Sequence, residues 1–179
     1  FLSTQTAFAL RVSYDSIQEE VLPGQAALYT IHLINDETET ETVTIKSVDL
    51  NWEMDKDLTR YEVKAGKTED VSVTLTPVNK NLLPKNYGIN FQASTSKTRE
   101  TKLLPVRVVA YDDTVSARFS SLPVIDPRKS SIVKLILTNK HNILLQDLDV
   151  SLNSEFFTKS QKVTLQGREE KELEYQVSL

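Results

Sequence analysis

The chain states one pattern twice, about 104 residues apart. In the first copy Pro23 opens a turn, Ala27, Tyr29, Ile31 and Leu33 alternate after it, and Asn35 closes the run. In the second, Pro127 is followed by Val133, Leu135 and Leu137, and Asn139 closes. Pro to Asn is twelve residues both times. Further on, Val48, Leu50 and Asn51 match Val150, Leu152 and Asn153 at an offset of 102, and Gly66 matches Gly167 at 101. An offset that only shrinks is what shortened loops between conserved strand positions would produce, so the sequence predicts a tandem of one β-rich module. At 179 residues the chain has the length of two small domains.

Successive side chains of a strand point to opposite faces, which gives apolar residues a period of two. Six segments of the first copy carry that signature: Leu10 to Tyr14, Ala26 to Ile34, Val43 to Leu50, Val71 to Leu75, Tyr87 to Ala93 and Thr101 to Val109. No stretch sustains a helical apolar stripe. Short strands spaced by turns predict an all-β fold of two tandem immunoglobulin-like antiparallel sandwiches, with boundaries at 1–109 and 114–179 and a junction at 110–113. The strand phase predicts Tyr29, Ile31, Leu33, Val71, Val73, Val133, Leu135 and Leu137 inside, and Thr30, His32 and Lys134 outside. In the third segment the inward phase slips between Ile45 and Val48, which reads as a β-bulge near Lys46 and Ser47. Leu148, Val150 and Leu152 of the second copy keep one phase. Tyr87, three residues after Pro84 at the entry to a late strand, has the placement of a tyrosine corner whose phenol bonds back to the chain.

The runs Val21-Leu22-Pro23-Gly24-Gln25, Tyr29-Thr30-Ile31-His32-Leu33-Ile34-Asn35, Ala65-Gly66-Lys67 and Leu83-Pro84-Lys85-Asn86-Tyr87-Gly88 resemble immunoglobulin-like modules that occur in arrays on archaeal and bacterial surface proteins. The relatives in question are the alpha-galactosidase-associated module and the cell-adhesion-related bacterial module. The resemblance covers residues 10–109 well and 114–179 in part, and rests on turn and core residues. It implies a secreted or surface-anchored protein that uses its modules as spacers or binding surfaces. The second copy departs from it, with Asp126-Pro127-Arg128 in place of Pro-Gly and no Pro-x-x-Tyr.

Composition removes several function classes. The net charge of -4 is scattered, with no basic stripe to follow a phosphate backbone, so nucleic acid is not an expected partner. No apolar run reaches the roughly 20 residues a membrane span needs, so membrane attachment would require a segment outside this chain. Cysteine is absent, which excludes disulfides and thiolate metal sites. Ala7-Phe8-Ala9 has the small-x-small form of a signal-peptidase site, so residues 1–9 read as either a signal tail or a first strand, and the expected location is extracellular or cell surface.

No nucleophile elbow or phosphate-cradling loop appears among only four glycines, and the two histidines, His32 and His141, occupy non-equivalent places and read as solvated. No enzyme activity and no cofactor are expected. Asp112 and Asp113 at the junction are the pair that calcium could use, although neither D-x-D-x-D nor a Gly-bearing loop surrounds them. A sugar-stacking platform would draw on Trp52, Tyr61 and Tyr111; for Trp52 the competing reading is a core or rim residue.

The reading that remains is a noncatalytic module pair acting as a stalk, an adhesive or an assembly surface, with a protein or cell-surface partner, neighbouring modules or a strand donated in trans being the options. Two alternatives are a periplasmic-chaperone-like protein that binds client strands and a carbohydrate-binding accessory domain of a glycoside hydrolase. The first copy uses residues 82–109 for a closing hairpin, while only Ser178 and Leu179 follow the strand Leu173 to Val177 in the second. The second sandwich is therefore expected to lack its closing strands, to expose Leu135 and Val150, and to be covered either by downstream chain or by a strand donated in trans, with Thr6 to Leu10 as one donor.

Overall fold

The computed structural model describes residues 10–120, 129–155 and 157–177. The expectations for Ala7-Phe8-Ala9, for Asp126 to Arg128, for Ser178 and Leu179 and for a donor segment starting at Thr6 fall outside or partly outside those residues. The chain divides into two compact units, Phe1–Val109 and Ala110–Leu179. No helix among the described residues is long and apolar enough to cross a membrane.

The first unit is an immunoglobulin-like sandwich with nine strands among the described residues: β1 (Leu10–Gln18), β2 (Glu20–Val21), β3 (Ala27–Asn35), β4 (Glu41–Ser47), β5 (Trp52–Met54), β6 (Arg60–Val63), β7 (Thr68–Pro77), β8 (Lys85–Ser94) and β9 (Arg99–Val108). One sheet runs β1-β3-β7-β5 and the other β2-β9-β8-β4-β6. With β1, β3, β4, β5, β7, β8 and β9 taken as A to G, this is ABED packed on GFC, the immunoglobulin strand order. Every pairing in it is antiparallel except β2 beside β9. Period-two alternation buries Tyr29, Ile31 and Leu33 from β3, Val71, Val73 and Leu75 from β7, and Ile89, Phe91 and Ala93 from β8, as the strand phase demands.

Two contacts tie the sheets of this unit together. The phenol of Tyr29, on β3, donates to the Pro105 carbonyl on β9 of the facing sheet. Burial pushes the Tyr29 phenol well above its ordinary range, with the charge of Glu19 adding to it, so it remains a donor. Trp52 on β5 meets Tyr87 on β8 edge to face, with ring centroids 5.9 Å apart. Tyr87 in turn donates to the Leu83 carbonyl at 2.9 Å, the bond of a tyrosine corner.

The bulge expected near Lys46 and Ser47 is not there. After Ser47 the chain leaves the β8-side sheet, crosses as a loop with Leu50 93% exposed, and enters the opposite sheet as β5 beside β7. Val48 and Leu50 thus belong to a loop, and the phase slip marks a change of sheet. The chain then returns to pair β6 with β4. Sequence periodicity missed β5 and β6 because three or four residues are too few to show a period.

The second unit contains the short helix α1 (Tyr111–Thr114) and the strands β10 (Val115–Phe119), β11 (Ser131–Asn139), β12 (Leu145–Asn153), β13 (Thr158–Leu165) and β14 (Glu170–Val177). Among the described residues these form a three-stranded sheet, β10-β11-β14, and a two-stranded sheet, β12-β13. Val133, Leu135 and Leu137 are buried and Lys134 is exposed. The expectation that Leu135 would be exposed is overturned; Val150 is half-buried. A bulge does occur in this unit: pairing of β12 with β13 slips between Leu145 and Leu148, and Asp147 there has φ 53°.

One local device recurs in both units. Asn35 is fully buried at the end of β3 and its amide donates to the carbonyls of Glu39 at 2.7 Å and Val63 at 2.9 Å, while its oxygen accepts from the Glu37 amide at 2.9 Å. Asn139 at the end of β11 does the same toward the carbonyls of Ile143 at 2.7 Å and Gln166 at 2.8 Å and the amide of His141 at 3.0 Å. An asparagine is required because the site needs two donors and one acceptor from a single short side chain. The expectation that His141 would be solvated is overturned, since it is buried in this turn.

The turn before β7 or β14 differs by one residue from the sequence alignment. Gly66, at φ 63°, is matched in conformation by Arg168 at φ 61°, not by Gly167. A left-handed arginine is strained by about 1 kcal/mol, and its guanidinium donates to the Lys140 carbonyl. Gly167 meets a different constraint: a Cβ there would displace the Asn142 side chain and come within 3.0 Å of the Asn142 Cα.

Candidate functional site

The feature that distinguishes the two units is what lies along the C strand. In the first unit β4 is flanked on both sides, by β6 and by β8. Its inward residues Val43 and Ile45 are fully buried, and Ile45 lies opposite Ala93 of β8. In the second unit β12 takes the place of β4: Leu145 pairs with Leu165 as Glu41 pairs with Val63, and beyond the bulge Leu148 pairs with Val163 as Val43 pairs with Tyr61. By that register Asp149, Val150, Ser151 and Leu152 stand where Thr44, Ile45, Lys46 and Ser47 stand in the first unit. The other edge of β12 has no strand partner among the described residues.

The side chains follow the missing cover. Leu148, Val150 and Leu152 are each half-buried. Across the unit, β10 occupies the position of β1, its Val115 opposite Asn139 as Leu10 is opposite Asn35. Val12 is buried, whereas its counterpart Ala117 is exposed, and Phe119, on the same face as its buried partner Leu135, is 42% exposed. Burial is thus reduced along β12 and at Ala117 and Phe119, while Val133, Leu135, Leu137, Leu173 and Tyr175 of the same unit are buried. An unpaired edge offers backbone donors and acceptors to another strand, and the apolar stripe beside it supplies the driving force.

The other sequence candidates are placed as follows. Trp52 is 2% exposed, so its ring is core and cannot stack on a ligand; Tyr61 is half-buried against the same core, and Tyr111 is exposed in α1 of the other unit. The three do not form a platform within either unit. Asp112 and Asp113 are exposed in the first turn of α1. Among the described residues no group of three or more His, Asp or Glu is close enough to hold a metal ion. An open cleft of about 590 Å³ lies between the β3–β4 and β8–β9 loops, lined by Glu41, Thr42, Thr44, Arg60, Ser94 and Lys97 among others. Lys97 is bound to the buried Glu41 at 2.8 Å, and no aromatic ring lines the cleft.

No protein-family model matches the sequence, and no curated protein sequence does. Similar solved structures include the seventh PapD-like domain of human CEP192, 12% identical over 62% of this chain and 94% of that one, with a TM-score of 0.40. A transglutaminase of red sea bream is 9% identical over 96% of this chain and 27% of its own, with a TM-score of 0.41. One chain of the structure of the Salmonella enterica SafA pilin in complex with the SafB chaperone is 12% identical over 94% of this chain and 97% of its own, with a TM-score of 0.33. At these scores the likenesses add nothing to the fold read from the strand order.

His32 was missed as an organised residue. It faces outward on β3, and both ring nitrogens meet carboxylates of the flanking strands: Nδ1 lies 2.7 Å from Asp70 and Nε2 3.1 Å from Asp15. A neutral imidazole has one N–H, so satisfying both carboxylates needs the protonated ring. The bond to Asp70 raises the His32 pKa above 6.5, with Asp15 adding to it against a partial loss from burial. The folded-state pKa is raised, so this contribution is complete below pH 6.5 and fades as pH rises through the raised value. Because both carboxylates are largely exposed, the effect is small. Urea midpoints are expected to fall slightly between pH 5.5 and pH 8.5, and His32→Gln to flatten that slope; an unchanged slope in the variant would assign the pH dependence elsewhere.

Proposed function

We propose that the chain is a noncatalytic pair of copies of one immunoglobulin-like module, from a secreted or cell-surface protein, whose second unit serves assembly by accepting an extended protein segment along β12. The observation that carries this reading is the contrast between β4, covered by β8 with Ile45 fully buried, and β12, with one edge unpaired among the described residues and Leu148, Val150 and Leu152 half-buried. Strand addition to a sheet edge draws affinity from main-chain hydrogen bonds and specificity from alternate side chains, which is what this edge offers. The surface location rests on the resemblance of the turn and core residues to modules of archaeal and bacterial surface proteins.

The test is an anisotropy titration of the full chain with a labelled peptide of the β8 sequence, Lys85 to Ser94, and with a peptide of the same composition whose apolar residues are moved out of alternation. Saturable binding of the first alone is expected, and Val150→Lys should remove it. Equal behaviour of the two peptides, or binding that survives Val150→Lys, would contradict strand acceptance at β12.

A further inference from the structure

Most cations on the strands of the first unit are engaged within it. Arg11 pairs with Asp36, Lys102 with Glu100 at 3.8 Å and Arg107 with Glu20 at 3.1 Å, and Lys85 lies over the Tyr87 ring at 4.7 Å. The remaining strand cations are Lys46, Arg60 and Arg99, and none of them forms an ion pair among the described residues. Arg60 and Arg99 are exposed and Lys46 is half-buried. Strand alternation puts all three on one surface. With Ile45, Tyr61 and Ala93 turned to the core, Lys46, Arg60 and Ser94 face outward, and Arg99 lies opposite Ser94.

The register sets these cations in two adjacent rows of the five-stranded sheet. One row reads Arg60, Thr44, Ser94 and Arg99 across β6, β4, β8 and β9; the next reads Lys46, Gln92 and Thr101. Strands about 4.8 Å apart put the two arginine backbones roughly 14 Å from one another, with Lys46 about 7 Å to one side. Far apart along the chain, the three make no basic run in the sequence. The carboxylates near this face lie at its rim. Glu62 is opposite Thr42, on the far side of the Arg60 row from Lys46, Glu41 is bound to Lys97, and Asp57 accepts the Ser47 amide at 2.9 Å. Glu39 lies across the open cleft that Thr44, Arg60 and Ser94 also line.

The side chains between the cations decide what the face can hold. Thr44, Ser94, Gln92 and Thr101 offer hydroxyls and an amide, and no aromatic or large aliphatic side chain stands in either row. A nucleobase has nothing to stack on there, and an acidic peptide has no place to bury an apolar side chain. Arginine forks take carboxylate or sulfate groups through two bonds at once, and hydroxyls and amides exchange hydrogen bonds with sugar hydroxyls. We propose that this face of the first unit binds an acidic polysaccharide, with Arg60 and Arg99 each holding one carboxylate or sulfate group and Lys46 supplying charge between them. The site is separate from β12 and does not depend on strand acceptance there.

The test is affinity electrophoresis of the full chain through gels containing dextran sulfate, polygalacturonate, neutral dextran or poly-glutamate. Retardation by an acidic glycan and none by neutral dextran is expected, weakening as salt is raised. Whichever acidic glycan is held more tightly identifies the group as sulfate or carboxylate. Arg60→Gln and Arg99→Gln should each raise the dissociation constant about tenfold, the worth of one charge-assisted bond. Lys67→Gln combined with Lys80→Gln, which removes two exposed cations elsewhere on the same unit, should leave it nearly unchanged. Unfolding midpoints of the arginine variants should match the parent, because neither side chain forms an ion pair in the unit. Failure of both acidic glycans to retard the chain, or an equal loss in the Lys67 and Lys80 variant, would overturn the site. Tighter binding of poly-glutamate than of either glycan would overturn the saccharide assignment and make an acidic peptide the ligand.

Discussion

Asn139→Ala is expected to destabilise the second unit by about 3 kcal/mol, and Asn35→Ala the first unit by a similar amount. Each asparagine is almost fully buried and makes three hydrogen bonds, two from its amide to loop carbonyls and one to its oxygen from a loop amide. Truncation leaves those backbone groups buried and unpaired, which costs about 1–3 kcal/mol per group where water cannot enter. Asn139→Asp is a sharper variant: it keeps the acceptor and the shape, removes both donors, and sets a carboxylate against the Ile143 and Gln166 carbonyls. Its cost at neutral pH should match or exceed that of alanine and shrink as the carboxylate is protonated. Chemical denaturation of each variant measures this; a loss below about 1 kcal/mol would mean that water replaces the side chain.

Phe91→Ala is expected to cost the first unit about 4 kcal/mol, in the range for emptying a buried phenylalanine site. Phe91 is 1% exposed on β8, between Ile89 and Ala93, and lies beside β4 opposite Ser47. Trp52, the only tryptophan and buried in the same core, reports the transition by its fluorescence. The size of the effect bears on the second unit as well, since β8 is the strand whose place is vacant among its described residues. A cost below about 1.5 kcal/mol would mean that the covering strand contributes little apolar stabilisation.

How much was legible in the sequence depended on length of element. The long strands β3, β7, β8, β9 and β11 run for eight or more residues, so a period of two is visible and the inward set follows. The two Asn closures were legible as a repeat, though not as the hydrogen-bonded turns they are, because the partner carbonyls at Val63 and Gln166 lie 28 and 27 residues away. The phase slip after Ile45 does not tell a change of sheet from a bulge, because both leave the same mark in a list of apolar positions. The true bulge, at Leu145 to Leu148, sits outside the alternating run of Leu148, Val150 and Leu152 and so left no slip within it. Pairing of His32 with Asp15 and Asp70 requires three neighbouring strands in register, which no local pattern encodes. The exchange by which Tyr29 lies opposite Val73 in the first unit and Val133 opposite Tyr175 in the second is visible only once the strands are paired.

Amide hydrogen exchange on the full chain, with and without the Lys85 to Ser94 peptide, tests strand acceptance most directly. Because the Ile45 amide donates to Thr59 on the β6 side, alternation aims the amides of Thr44 and Lys46 at β8, and those of their counterparts Asp149 and Ser151 at the free edge. In the free chain Thr44 and Lys46 should be protected while Asp149 and Ser151 exchange fast. On adding peptide, Asp149 and Ser151 should gain protection together, leaving the amides of Thr44 and Lys46 as they were. Slow exchange at Asp149 and Ser151 without peptide, or fast exchange that persists at a saturating concentration of it, would contradict the account.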